Sequence, residues 1–145
     1  IAEPGNEQEA AMRLGRIGFD VVSGYLEGGP AALEHREDLL ARTERITAAT
    51  LAEQLQGASP PLVIDVRTES ERGAGAIAGS RNVPLNHLEE QAENLPRDRQ
   101  LVVHCAGGYR SAIAASLLER AGFANVADLV GGYAAWEKAA EPSQA

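Results

Sequence analysis

The most reactive side chain in this sequence is its single cysteine, Cys105, which begins the segment "CAGGYR". Gly107 and Gly108 allow backbone dihedral angles that other residues avoid, so successive N–H groups can turn inward to hold an anion. The segment that follows has the pattern of a helix, whose first N–H groups carry partial positive charge. Arg110 adds a full charge with a planar fork that suits oxyanions. Together these features favour the thiolate of Cys105 and predict a nucleophile beside an anion-binding loop.

Each of these features also has a simpler interpretation. A lone cysteine is commonly a small buried apolar residue. A glycine pair followed by an arginine can form an ordinary strand-to-helix turn with a solvated side chain. Their convergence within one short loop favours the catalytic interpretation. His104 is less informative, because it could act as a base but strand alternation directs its side chain away from that of Cys105.

Two short apolar runs, "PLVIDV" at 61–66 and "QLVVHC" at 100–105, have the length and the valine and isoleucine content of buried strands. Short strands that alternate with helical patterns predict βα units. The predicted fold class is therefore α/β, with a central, mostly parallel sheet flanked by helices in three layers. Ligand sites in such sheets lie beyond the carboxyl ends of the strands, which is where Cys105 stands.

Three helical patterns accompany these strands. The first begins at Thr47, a suitable N-cap residue, and stops at Gly57. The second is opened by Asn86 and closed by Pro96. The third follows the cysteine loop and ends at Gly122. Its predicted apolar face is formed by Ile113, Leu117 and Leu118.

Composition disfavours several classes of function. The 145-residue chain has 13 basic and 21 acidic residues and a formal net charge of -8, which disfavours binding to nucleic acid or to an anionic membrane. It has no apolar run of membrane-spanning length and no signal-peptide pattern. A single cysteine fits a reducing compartment, so a cytoplasmic location is expected. The histidines, His35, His87 and His104, lack metal-ligand spacing, and no metal is expected.

Four segments of the chain resemble the rhodanese family in their order and approximate spacing, over about residues 44–140. They are "LVIDVR", "ERGAGAIAGSRNVPL", "VVHCAGGYRS" and "GFANVADLVGGYAAWEKA". The resemblance implies a rhodanese-like fold and sulfurtransferase activity. In that family, a cysteine at the position of Cys105 accepts sulfane sulfur from thiosulfate or a persulfide such as glutathione persulfide. The enzyme-bound persulfide then passes this sulfur to a thiophilic acceptor, which is cyanide, sulfite or a thiol.

The resemblance also implies roles for the neighbours of Cys105. The active-site loop that binds substrate is formed by Ala106, Gly107, Gly108, Tyr109, Arg110 and Ser111. Asp65 and Arg67, at the end of the neighbouring predicted strand, resemble the pair that supports this loop in the family. No cofactor is implied beyond the covalent persulfide.

The length of the loop distinguishes the family from its relatives. From Cys105 to Arg110 the pattern is C-x4-R, whereas the related cell-cycle phosphatases and arsenate reductases carry C-x5-R. A shorter loop forms a smaller cradle, which suits the terminal sulfur of a persulfide. Sulfur transfer is therefore favoured over a phosphatase or arsenate reductase activity. A non-catalytic module that carries or senses sulfur is a further alternative.

Two stretches depart from the family pattern. Arg72 follows Glu71 where an aromatic residue is usual, and "GAIAGS" at 75–80 stands where "GHIPGA" is usual. These changes affect the scaffold and the rim of the site without touching the nucleophile. Arg72 and Arg81 could extend a positive rim for an anionic donor, although solvated surface arginines are the more common interpretation.

The N-terminal part of the chain contains a second copy of the C-terminal pattern. "RLGRIGFDVVSGYLEGGPAALEH" at 13–35 parallels "LLERAGFANVADLVGGYAAWEKA" at 117–139, with a helix end, a short apolar strand, a glycine pair and a helix. Phe19 matches Phe123, about one domain length away, which indicates a duplication. Chance recurrence of such generic α/β pieces is the alternative.

When this alignment is carried back, Ile1 stands where Cys105 would be, so the first copy lacks a nucleophile. We therefore predict an inactive rhodanese tail at 1–43, a catalytic domain at 44–140 and a short tail at 141–145. Because the strands that would precede Ile1 in such a copy are absent from this sequence, the first copy is not expected to form a sheet of its own. It is expected to pack on the second domain, on another copy of the chain or on a segment further upstream.

This order of domains resembles the C-terminal part of fusion proteins that join a metallo-β-lactamase-fold persulfide dioxygenase to rhodanese. The segment "HCAGGYRSAIAAS" is similar to their active loop. The resemblance implies a dioxygenase domain with an iron site upstream of this sequence, and no iron site within it.

Overall fold

The computed structural model describes residues 1–16, 18 and 20–140. The predicted match at Phe19 and the predicted tail at 141–145 lie outside the described residues.

The chain divides into two compact units, Ile1–Arg42 and Thr43–Ala145. The first unit begins with helix α1, Glu7–Gly15, which carries acidic residues in its first turn and an arginine in its last, as the helix dipole favours. Two short 3₁₀ helices follow at Gly29–Leu33 and Glu37–Leu39. The segment before these 3₁₀ helices has no regular secondary structure over residues 20–26.

The strand predicted for the first unit does not form. Val21 is 88% exposed, and the described residues of this unit provide no neighbouring strand with which it could pair. The predicted glycine pair does precede a helix, because Gly28 and Gly29 have φ angles of 80° and 59° and lead into a 3₁₀ helix. The interpretation of this unit as a degenerate copy stays a prediction.

A parallel sheet forms the centre of the second unit. Its strands are β1 (Glu44–Ile46), β2 (Leu62–Asp65), β3 (Arg81–Asn82), β4 (Leu101–His104) and β5 (Val126–Leu129). They lie in the order β1-β5-β4-β2-β3, and all neighbouring strands are parallel. The short apolar runs predicted as strands correspond to β2 and β4. The predicted α/β fold with a central parallel sheet is confirmed.

Helices connect and cover these strands. They are α2 (Ala48–Leu55), α3 (Glu69–Gly73), α4 (Leu88–Gln91), α5 (Tyr109–Arg120) and α6 (Gly132–Ala140). Helix α2 begins as predicted, because the Thr47 hydroxyl oxygen accepts the Thr50 N–H at 3.2 Å. Across the described residues, no helix combines the length and the apolar character needed to cross a membrane.

The single helix predicted between Asn86 and Pro96 is instead divided into three short pieces. Helix α4 is flanked by 3₁₀ turns at Leu85–His87 and Ala92–Asn94. Asn86 does not cap it, because its side-chain amide lies 3.1 Å from the ring of His87 rather than on a backbone N–H.

The two faces of the sheet contact different helices. Ile64 and Val103 face a cluster that includes Leu118 of α5, and Cys105 lies on this same side. The alternate residues, such as Val63 and Val102, face the opposite cluster, to which α2 and α6 contribute. Because β4 alternates in this way, the cysteine that follows it is placed under the start of α5.

The buried face of α5 differs from the predicted one. It is formed by Ser111, Ala114, Ala115 and Leu118. Ile113 is 42% exposed, whereas Leu118 is fully buried. Small residues at the contact allow the helix to lie close to β4 and β5, and the larger Ile113 is rotated toward solvent.

The two apolar residues should therefore differ in their contribution to stability. Leu118→Ala is expected to lower the free energy of unfolding by about 3 kcal/mol, because it leaves a cavity in the core. Ile113→Ala should cost less than about 1 kcal/mol. Urea unfolding of both variants measures the difference, and equal losses would contradict the assigned orientation of α5.

Candidate active site

Cys105 lies where three neighbouring strands end. It directly follows β4, while β2 ends at Asp65 and β5 leads into the turn before α6. Because all three strands are parallel and adjacent, their following loops meet at one edge of the sheet. The predicted loop, 106–111, and the predicted supporting pair are therefore brought together. Cys105 is only 2% exposed.

The loop turns back so that its backbone faces the sulfur. The N–H of Gly108 donates a hydrogen bond to Sγ of Cys105 at 3.1 Å. Gly108 has φ of 108°, a left-handed conformation that favours glycine, and it forms the N-cap of α5. The Ser111 side chain is buried, and its hydroxyl donates to the carbonyl of Gly108 at 3.1 Å. Tyr109, by contrast, is 83% exposed.

The start of α6 holds the other side of this loop. The N–H of Tyr133 donates to the Cys105 carbonyl at 2.7 Å, and the N–H of Ala134 donates to the Ala106 carbonyl at 3.1 Å. In a planar trans peptide the carbonyl and the next N–H point in opposite directions. Fixing the Ala106 carbonyl on α6 therefore directs the Gly107 N–H away from α6 and toward the sulfur.

This contact requires glycine at position 132. Gly132 has φ of 58°, and a Cβ there would overlap the carbonyl oxygen of Cys105 and lie 2.8 Å from that of Ala106. Gly132 was not among the residues predicted for the site. The glycine pair before the last helical pattern was the available signal, but its partner is distant in sequence.

Backbone donors favour ionisation of the thiol. Burial opposes the thiolate, but the N–H groups of Ser111, Gly108 and Gly107 outweigh it and lower the pKa of Cys105 below its ordinary value. The charge is thus stabilised by dipoles that the fold holds in place. This is the chemistry predicted for a nucleophile in an anion-binding loop.

Arg110 is engaged by a carboxylate that the sequence analysis did not place in the site. Its Nη1 and Nη2 donate to Oε2 and Oε1 of Glu71 at 2.8 and 2.6 Å. This pairing lowers the pKa of Glu71 to about 2. The contribution of the pair to stability is therefore fully present above about pH 4.5, the ordinary pKa of glutamate, and is lost as the pH falls toward 2. The predicted role of Arg110 in holding an anionic donor stays a prediction.

Asp65 and Arg67 form a buried ion pair at the end of β2. Arg67 donates from Nε to Oδ1 at 3.0 Å and from Nη2 to Oδ2 at 2.8 Å. Burial opposes ionisation of Asp65, but the bonds from Arg67 outweigh it, so the pKa of this carboxyl is lowered. Arg67 also donates to the Gly75 carbonyl at 2.7 Å and lies 4.2 Å from the ring centroid of Tyr133. It contacts the supports of the cysteine loop and not the loop itself.

Arg72 and Arg81, the two arginines considered for a positive rim, donate hydrogen bonds to other parts of the protein. Arg72 donates to the Ser80 hydroxyl at 2.7 Å and its carbonyl at 2.8 Å, and it lies 3.4 Å from Asp65. Its side chain is 27% exposed, so the interpretation of Arg72 as a solvated surface residue is wrong. Arg81 donates to the Asn94 carbonyl at 3.1 Å.

His104 lies behind the site, directed away from the sulfur as strand alternation predicts. It is fully buried, with Nδ1 3.3 Å from the Cys105 carbonyl oxygen and Nε2 3.7 Å from Oδ2 of Asp65. Burial lowers its pKa. No group of three or more possible metal ligands forms among the residues that the structure describes.

The contact between α6 and the cysteine loop can be tested by substitution. Gly132→Ala is expected to lower the free energy of unfolding by about 2 kcal/mol or more, because it combines a steric overlap with a strained φ. Gly107→Ala is the matched control, since an added Cβ there meets nothing within 4 Å. It should change stability by less than about 1 kcal/mol. Denaturant unfolding measures the free energy of unfolding of both variants. A Gly132→Ala variant as stable as the wild type would contradict the contact.

Comparisons with known proteins agree with this geometry. The family model for the rhodanese-like domain matches residues 47–139. A sulfurtransferase of Allochromatium vinosum is 30% identical over 93 residues, which cover 64% of this chain and 87% of that protein. The chloroplastic thiosulfate sulfurtransferase 16 of Arabidopsis thaliana is 35% identical over 94 residues, which cover 57% of this chain and 78% of that protein. Several other curated relatives are longer, and the chain spans only 23% to 26% of their length.

A solved structure shares the same architecture. The crystal structure of a rhodanese-related protein from Thermoplasma volcanium is 37% identical, with a TM-score of 0.62, and the match covers 68% of this chain and 95% of that one. The family match spans more than half of the sequence and includes Cys105, its loop and the Asp65–Arg67 pair. This chain belongs to the rhodanese-like domain family.

Proposed function

We propose that this chain is a sulfurtransferase that moves sulfane sulfur through a persulfide on Cys105. The donor is thiosulfate or a low-molecular-weight persulfide, and the acceptor is cyanide, sulfite or a thiol. The observation that carries the proposal is that backbone N–H groups of the loop surround the Cys105 sulfur. The N–H of Gly108 donates to Sγ at 3.1 Å. The names of the similar Allochromatium and Arabidopsis proteins, a sulfurtransferase and a thiosulfate sulfurtransferase, support it.

The first half-reaction transfers one sulfur atom to the enzyme. The Cys105 thiolate attacks the outer sulfur of thiosulfate, a new S–S bond forms, and the bond between the two sulfurs of thiosulfate breaks. Its electron pair leaves with sulfite. The total charge is unchanged, because a thiolate and a dianion become a persulfide anion and a sulfite dianion. No external oxidant or reductant is needed.

The second half-reaction returns the enzyme to its starting form. A thiophilic acceptor such as cyanide attacks the outer sulfur of the enzyme-bound persulfide, and the S–S bond breaks with its electron pair leaving on Cys105. The same N–H groups that lower the pKa of Cys105 stabilise this departing thiolate. The low pKa thus serves both halves of the cycle, because the sulfur is nucleophile in one and leaving group in the other.

The persulfide can be detected directly by intact mass. Treatment with thiosulfate or with glutathione persulfide is expected to add the mass of one sulfur atom to the wild-type chain, and cyanide should remove it. Cys105→Ser is the control and should gain nothing, because the chain has no other cysteine. A wild-type thiol that reacts with alkylating agents yet gains no sulfur from either donor would contradict sulfur transfer.

A further inference from the structure

The loop's own arginine already holds an anion. Glu71 binds Arg110 through two hydrogen bonds, at 2.8 and 2.6 Å. The carboxylate is also fixed by its own helix, since its Oε2 accepts the N–H and the hydroxyl of Thr68, each at 3.0 Å. This capping box at the start of α3 keeps the carboxylate in place. The pair therefore differs from two long surface side chains that meet only transiently.

The neighbouring arginines, Arg67 and Arg72, are also hydrogen-bonded to other groups of the protein. Arg67 is paired with Asp65, and Arg72 donates to Ser80 and approaches Asp65. A dianionic donor such as thiosulfate must therefore compete with the Glu71 carboxylate for the guanidinium of Arg110. Its approach is further opposed by the charges of Glu71 and of the Cys105 thiolate.

A cleft beside Arg110 is larger than thiosulfate requires. Its volume is approximately 300 Å³, and its lining is mainly carbon, formed by Val66, Thr68, Pro84, Leu85, Asn86 and Arg110. This corresponds to about ten times the share of volume that one water molecule takes in the liquid. It lies at the lower limit of clefts that bind small organic molecules. An apolar wall offers little to an inorganic oxyanion, but it can cover the carbon skeleton of an organic thiol.

We infer that Glu71 is a specificity-determining residue that selects an organic persulfide over thiosulfate as the sulfur donor, with the donor's carbon skeleton lying in the cleft formed by Val66, Pro84 and Leu85. This inference rests on the proposed sulfur transfer at Cys105 and names its donor class.

The chemistry of an organic persulfide matches this charge arrangement. The Cys105 thiolate attacks the outer sulfur of R–S–SH, the new S–S bond forms, and the original S–S bond breaks. Its electron pair leaves as the thiolate R–S⁻, and the proton stays on the transferred sulfur. At the reacting sulfurs only one negative charge is present before and after the step, so the transferred sulfur does not need the guanidinium that Glu71 occupies.

The test compares the rate of Cys105 persulfide formation from the two donors, with quenched samples measured by intact mass. Glu71→Gln removes the charge but keeps a side chain that can complete a capping box. Glu69→Gln is the matched control, because Glu69 is an exposed acid in the same helical turn. Glu71→Gln is expected to raise the second-order rate constant with thiosulfate about tenfold. The constant with glutathione persulfide should change less than about twofold, and Glu69→Gln should leave both constants unchanged.

A second variant tests the cleft. Leu85→Gln is expected to lower the rate constant with glutathione persulfide about tenfold, because it places a polar group against the donor's carbon skeleton. The constant with thiosulfate should be retained. A general loss of structure would lower both constants, and thermal unfolding of each variant identifies that case. The test is therefore the ratio of the rate constant with glutathione persulfide to that with thiosulfate.

Two results would overturn the inference while leaving sulfur transfer intact. One is a Glu71→Gln variant in which the ratio of the two rate constants equals that of the wild type. The other is a Leu85→Gln variant whose ratio is unchanged. Failure of the proposed function is different, because the wild-type chain would then form no Cys105 persulfide with either donor.

Discussion

One buried carboxylate, that of Asp65, connects the parts of this site. It has no exposed surface, and burial of an unpaired charge would cost several kcal/mol. Arg67 provides the pairing charge through a bidentate contact. The same guanidinium holds the Gly75 carbonyl and lies on the ring of Tyr133. Since Gly75 follows the helix that carries Glu71, and Tyr133 lies in the first turn of α6, both supports of the cysteine loop depend on this ion pair.

The supports act on different aspects of the chemistry. Helix α6 donates hydrogen bonds to the carbonyls of Cys105 and Ala106, which turns the loop N–H groups toward the sulfur and favours its thiolate. Helix α3 instead carries Glu71, which pairs with Arg110 and neutralises its charge beside the cysteine loop. The thiolate is thus stabilised chiefly by backbone dipoles. In the proposed reaction, the pairing of Arg110 with Glu71 influences which donor is accepted.

Much of this arrangement could be predicted from the sequence, because its signals are local. The β2 and β4 strands follow from short apolar runs, the start of α2 follows from Thr47, and the cysteine loop follows from its glycines and its position after a strand. Features set by contacts distant in sequence could not be predicted in this way. Glu71 meets Arg110 across 39 positions, and Gly132 is required by the carbonyl of Cys105. The exposure of Ile113 likewise depends on how closely α5 approaches the sheet, which helical periodicity alone does not determine.

The fold turns backbone N–H groups onto Cys105 strongly enough to overcome the cost of burying its thiolate. The most direct measurement is the pKa of this thiol in the intact chain, obtained from the pH dependence of thiolate absorbance with Cys105→Ser as the reference for the tyrosines. We expect a pKa below the ordinary cysteine value of about 8.5. A pKa at or above that value would show instead that burial prevails over the loop donors.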